Sequence, residues 1–213
     1  MAFSNSYTGP WVKWSGNPLI TATGCSNSVP WGVGQASATA VSGGRVLLFY
    51  TNGMSAPPRM VRRDLNLSNM SNPSIGPEVT LPINGLTSKD GSTPLFHNAN
   101  IAYDPSRDIF ITVRPQHPFD PEYPDFISST LQVATIPGSA IWSGSGTWSV
   151  IGHLDSSYSG KPRNHNAGIM RNPYGQIISP STLYVIQSVS DLQVSGFDWL
   201  WSYDLYRNDG VLY

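Results

Sequence analysis

Two copies of one tripeptide, His97-Asn98-Ala99 and His165-Asn166-Ala167, put an imidazole and an amide side by side twice in this chain. A third stretch, Gly34-Gln35-Ala36, keeps the amide and the alanine but has glycine in place of the histidine. The spacing from Gln35 to Asn98 is 63 residues, and from Asn98 to Asn166 it is 68. An amide offers donor and acceptor without charge, which suits sugar hydroxyls; imidazole donates, accepts, moves a proton or ligates a metal. The same positions also read as ties between an inner strand and its neighbours, repeated because a fold unit is repeated. A cation held between His97 and His165 is compatible with these residues, but two ligands are too few to assign one, and no cofactor is expected.

Carboxylates are the other residues able to do chemistry. The chain holds eleven Asp and only two Glu. Asp104, in Asp104-Pro105-Ser106-Arg107, is a turn former, because its side chain can bond the following backbone while Pro sets the next φ. Asp90, just before the second repeat, and Asp120, Glu122 and Asp125, in the loop from Gln116 to Ser129, are better placed to act as acid, base or nucleophile. Their alternative is solvated loop charge. Trp31 offers a face for a sugar ring. Asn100 shares the inner strand with Asn98 as a further ligand-binding candidate, and His117, Tyr123 and Phe126, in the same long loop, are candidates to wall the same pocket. Arg114 and Arg163 lie beside the repeats and have the fork that grips a carboxylate. Trp142, Trp148 and Trp201 read as packing residues.

Around each tripeptide the chain follows one pattern: an apolar-polar run, a tight turn, then a β-branched and aromatic run. Ser42-Gly43-Gly44, Asp104-Pro105-Ser106-Arg107 and Asn172-Pro173-Tyr174-Gly175 are three spellings of that turn. With 18 Pro and 20 Gly, few windows suit an amphipathic helix. Strands are predicted near 36–41, 46–51, 60–65 and 78–81; then 98–103, 109–113, 131–136 and 148–153; then 166–170, 183–188 and 200–205. The fold class is therefore all-β: a β-propeller-type array of about three four-stranded antiparallel blades in one domain over 1–213. The units run about 31–90, 91–155 and 160–213, and residues 10–20 are a candidate closing strand for the third. Three blades are fewer than the roughly four to eight of a closed ring. The array is thus a piece of a larger propeller, or is completed by homo-oligomerisation.

Composition removes several partners. Charged residues are 12% of the chain, net charge is −1, and no basic run occurs. Arg59, Arg62 and Arg63 are the nearest approach to one and read as a solvated strand, so no nucleic-acid footprint is present. No segment has the length and apolarity of a membrane span. Cys25 is alone, so a disulfide within the chain and a thiolate zinc cluster are both ruled out. The N-terminus has no secretory signal, yet the polar, lysine-poor surface points to an extracellular or secreted protein. No nucleophile elbow, Walker loop or dinucleotide fingerprint is found.

Trp14-Ser15-Gly16-Asn17-Pro18-Leu19-Ile20 resembles the opening Trp and Asn-Pro-hydrophobic segment of the five-bladed propeller glycoside hydrolases, the arabinanase, β-xylosidase and invertase group. Leu48-Phe49-Tyr50-Thr51 resembles that group's aromatic second strand. The resemblance implies a carbohydrate ligand and carboxylates on the inner strands of successive blades. Here the corresponding positions carry Gln35, Asn98 and Asn166, so an acid would have to come from Asp90 or the 116–129 loop. The expectation is a glycoside hydrolase-like propeller that acts on or binds an extracellular glycan; the alternative is a non-catalytic, lectin-like module with one shallow site per unit.

Overall fold

A computed structural model of the chain describes residues 1–22, 32–54, 56–122, 126–192 and 203–212. A short ribbon comes first, β1 (Ala2–Phe3) paired with β2 (Val12–Lys13). Three antiparallel sheets follow in chain order. The first holds β3 (Gly32–Ser42), β4 (Arg45–Gly53) and β5 (Arg59–Asn66), and β5 also pairs with the short β6 (Ser74–Ile75) and β7 (Val79–Thr80). The second is β8 (Asn100–Asp104), β9 (Ile109–Pro115), β10 (Leu131–Pro137) and β11 (Ser149–Leu154), hydrogen-bonded in that order. The third is β12 (Arg163–Ile169), β13 (Thr182–Ser190) and β14 (Asp204–Leu212). Helix among the described residues is limited to α1 (Gly138–Ser143) and α2 (Ser156–Ser159). The chain is an all-β, propeller-type array.

The sheets stack face to face because the period-two alternation of the middle sheet feeds two cores at once. Ile101, Phe110, Ala134, Ile136 and Trp148 join Leu47, Phe49 and Met60 of the first sheet. Their sequence neighbours Ala102, Ile111, Val113, Leu131 and Val133 join Ile169, Leu183 and Val185 of the third. Strand β10 is therefore buried along nearly its whole length. Strand β13 instead alternates, with Leu183, Val185, Gln187 and Val189 inside and Ile186 exposed. The third sheet is covered on one face.

The innermost strands β3, β8 and β12 carry unpaired edges toward one another, and their backbone groups need partners there. Side chains supply them in a repeated way. The N–H of Ile101 donates to Ser37 Oγ (3.3 Å), and the N–H of Ile169 donates to Asn100 Oδ1 (3.1 Å). Ser37 and Asn100 each lie two residues after the amide of their own unit, and Ile101 and Ile169 each lie three after theirs. The equivalent of Ser37 and Asn100 in the third unit is Gly168, which has no side chain to offer.

At the far end of the inner strands the third unit's turn crosses over to the first and second. Ala40 N donates to Tyr174 O (2.7 Å), Thr39 Oγ1 to Gly175 O (2.9 Å), and Ile177 N to Tyr103 O (3.0 Å). Asn172 Oδ1 holds this turn by accepting from the N–H groups of Tyr174 and Gln176. The crossing closes the end of the three-strand cluster remote from Gln35, Asn98 and Asn166.

Some sequence expectations shift. The 10–20 segment does not complete the third sheet: its strand pairs with β1, while Pro18, Leu19 and Ile20 line a cleft against Ala36, Leu48 and Tyr50 of the first. The third sheet's last described strand begins at Asp204, beyond most of the 200–205 window. Arg62 is not solvated; it is buried and donates to the carbonyls of Ile141 (2.7 Å) and Trp142 (2.6 Å). Trp148 packs inside, but Trp142 is part-exposed beneath the guanidinium of Arg45. Cys25 and Trp201 lie outside the described residues.

The crossing turn has a direct test. Gly175 sits at φ +74°, and a Cβ there would stand 2.0 Å from the Ala38 carbonyl oxygen. Gly43, at φ +56° in the β3–β4 turn, has open space around it. Gly43→Ala should cost only the left-handed penalty, about 1–2 kcal/mol, whereas Gly175→Ala should cost at least about 2 kcal/mol more. Urea denaturation midpoints measure the difference.

Candidate functional site

Three residues at equivalent places in the three units share an unusual backbone conformation. Gln35, Asn98 and Asn166 have φ of 56°, 51° and 45°. Left-handed backbone is costly for residues with a Cβ, Asn tolerating it better than most. In β3 the pairing slips between Gly34 and Ser37, and in β12 between His165 and Gly168, so the conformation sits in a β-bulge. Bulges re-aim side chains at strand ends. In the second unit Asn98 takes the same conformation just ahead of β8, and all three amides line one opening.

The amides are wired together. Thr51 Oγ1 donates to Gln35 Oε1 (2.8 Å) and accepts from the Asn98 N–H (2.9 Å). Asn98 Nδ2 donates to Asn166 Oδ1 (2.7 Å) and stands 3.3 Å from His165 Nε2. The opening they frame has a volume of about 250 Å³ and is also lined by Asn100 and alanines 36, 99 and 167. Alanine after each amide keeps the three backbones close. Gln35 and Asn166 are exposed, and Asn98 is half-buried.

Behind the amides lies an aromatic and imidazole cluster. His97 and His117 have ring centroids 4.8 Å apart, His117 stacks on Phe119 at 4.2 Å, and Phe119 meets His165 edge-on at 5.7 Å. His97 is buried, and it is joined to His165 through His117 and Phe119. His165 Nδ1 accepts from the Ser128 N–H at 3.3 Å. Burial pushes His97 down to about 4, helped by the charge of Arg114, and burial with the charge of His97 pushes His165 to about 4. His117 is pushed to about 3, first by burial and then by the charges of His97 and Arg114. All three rings are neutral at neutral pH. Among the described residues no three His, Cys, Asp or Glu side chains converge as metal ligands.

The remaining candidates are placed as follows. Arg114 is fully buried and spends its donors on Gln132 Oε1 and on the carbonyls of Thr87, Leu95 and Pro115, leaving none for a carboxylate ligand. Arg163 is 3% exposed and is occupied by Asp120 (3.3 Å) and Glu122 (3.7 Å). Asp120 also accepts from Lys89 Nζ (2.8 Å). Burial opposes ionisation of Asp120, but bonds from Lys89 and Ser129 and the charges of Lys89 and Arg163 prevail and hold its pKa below the usual range. Asp90 is exposed, accepts from the Ser92 N–H, and its pKa is lowered by bonding to Ser92. Asp104 accepts from Ser106 and Arg107 in a turn. Trp31, Tyr123 and Asp125 lie outside the described residues, and Phe126 is 42% exposed.

Thr51 and Phe119 complete the site and were not singled out from sequence. The register of β3 against β4, which sets Gly34 opposite Thr51, is the signal that would have found Thr51.

No protein-family profile and no curated protein sequence matches the chain. Solved structures do. The catalytic domain of a glycoside hydrolase family 62 α-L-arabinofuranosidase from Coprinopsis cinerea superposes with TM-score 0.58 at 16% identity, over 99% of this chain and 65% of that one. A family 43 arabinoxylan arabinofuranohydrolase from Bacillus subtilis, solved with cellotetraose, gives 0.55 at 15% identity, over 98% and 41%. An α-L-arabinofuranosidase from Podospora anserina, solved with cellotriose, gives 0.54 at 12% identity, over 84% and 55%. The chain spans between 41% and 65% of the length of these proteins. At such identities the likeness speaks for the fold, and this chain has the fold of the five-bladed propeller glycoside hydrolases over the part it spans.

Proposed function

We propose that this chain is a glycan-recognition propeller of the glycoside hydrolase type, which binds an extracellular neutral saccharide at the opening framed by Gln35, Asn98 and Asn166. The observation that carries this reading is the repeated left-handed bend that turns one uncharged amide from each unit into a single opening. Amides match hydroxyls as donors and acceptors, and the neutral His165 beside them extends the set. The complexes of the structurally similar enzymes with cellotriose and cellotetraose support the ligand class. Because the three units build one opening together, a chain has one site rather than one per unit.

A second reading, hydrolysis, is favoured by one feature. Asp120 and Glu122 contact the same guanidinium, which keeps them within the about 9.5 Å upper limit of paired glycosidase carboxyls. The loop bearing them also sets Phe119 against His165. Against it, Asp120 is held ionised and cannot donate the proton that a leaving group needs.

Titration calorimetry with cellotriose should give one site per chain, and Asn98→Ala and Asn166→Ala should each weaken binding by about 2- to 10-fold. Unchanged affinity in both variants would remove the amide site. Release of reducing sugar from arabinoxylan decides between the readings. Binding without turnover selects recognition, whereas turnover abolished by Asp120→Asn or Glu122→Gln selects hydrolysis.

The buried imidazoles also predict a pH dependence. Their folded pKa values lie below the unfolded value near 6.5, so the unfolded chain takes up protons first as pH falls. Stability should be level above about pH 6.5 and decline from there to about pH 3. In His117→Phe, which keeps the ring packing, urea midpoints between those limits should decline less steeply.

A further inference from the structure

We infer that the saccharide site continues from the axial opening onto the third sheet, where Tyr203, Ser188 and Ser190 form a second subsite, and that the ligand is therefore a neutral oligosaccharide of at least two units. This inference rests on the glycan reading of the axial opening.

A cleft of about 360 Å³ lies beside that opening, lined by His165, Asn166, Ser188, Ser190, Tyr203 and Leu205 among others. Asn166 lines both spaces, so the two are adjacent. The axial opening alone, about 250 Å³, falls below the ~300 Å³ at which ligand clefts usually begin. A single small sugar would fill it and leave the neighbouring cleft empty.

The pairing register explains how the second cleft is built. Ser188 stands opposite Leu205 and Val189 opposite Asp204, which sets Tyr203 opposite Ser190. The pleat then brings the Tyr203 ring and the serine hydroxyls to one end of the sheet, next to His165. Tyr203 is 51% exposed, although Ser190 and His165 beside it are buried. An exposed aromatic face next to hydroxyls on the same face of the sheet matches a pyranose, which has an apolar C–H face and a polar rim. Among the described residues no charged side chain lines either space. Arg163, opposite Ser190 in the ladder, is occupied by Asp120 and Glu122, so this guanidinium does not recruit an anionic sugar.

Glucose, cellobiose, cellotriose and cellotetraose, titrated into the whole chain, test this extension. Affinity should rise with length from one to at least two units. Tyr203→Ala should leave glucose binding unchanged and weaken cellotriose by about 3- to 10-fold, with Tyr203→Phe close to the parent. Equal affinity at every length, or a silent Tyr203→Ala, overturns the second subsite and leaves the axial site standing. A chain that binds none of the four sugars overturns both. If Tyr203→Ala lowers the solution mass by light scattering while cellotriose affinity holds, the cleft is an interface between copies of this chain and the subsite is refuted.

Discussion

The unpaired inward edges of β3, β8 and β12 are the constraint on which the remaining structure depends. A strand at the centre of a radial array has a ladder partner on one side only, and its other backbone groups face neighbours too distant for a ladder. In this chain Ser37 and Asn100 reach across and accept from the next unit's N–H groups. Those contacts fix the rotation and height of each sheet relative to the last. The same height brings Gln35, Asn98 and Asn166 to one level, and the crossing turn at Tyr174–Ile177 closes the opposite end. The site is thus a by-product of how the inner edges are satisfied.

The middle sheet shows how packing supports that arrangement. Its alternate side chains serve two cores, so its strands are buried on both faces and carry little freedom to tilt. The buried Arg114 adds a polar pin, joining Gln132 to the carbonyls of Thr87, Leu95 and Pro115 without a carboxylate partner. A guanidinium in that setting is desolvated, which lowers its pKa to about 10 while leaving it charged at neutral pH. Its role is to hold the loop before β8 and the end of β9 beneath the histidines.

Much of the fold was legible in the sequence because it rests on local signals. Period-two runs located most strands within a few residues, and the Asp-Pro and Asn-Pro turns marked the unit repeat. The equivalence of Gln35, Asn98 and Asn166, read from spacing alone, reappears as a shared backbone conformation. What escaped the sequence is set by contacts distant along the chain. Arg114 and Arg163 have the residue type of a ligand clamp, yet one is consumed by carbonyls and the other by Asp120 and Glu122. Phe119, not Phe126, meets His165, and loop composition does not distinguish the two rings. Likewise Trp11–Trp14 has the look of a spare strand, and only the partner offered by Ala2–Phe3 decides where it pairs.

Gly168 has a consequence beyond the site. Ser37 and Asn100 each hand an oxygen to the following sheet, but at the matching place the third sheet has only a hydrogen atom to present. The seam beyond β12 is therefore chemically unlike the two before it. Any polypeptide seated there must quiet its own exposed amide protons, by solvent or by its own side chains.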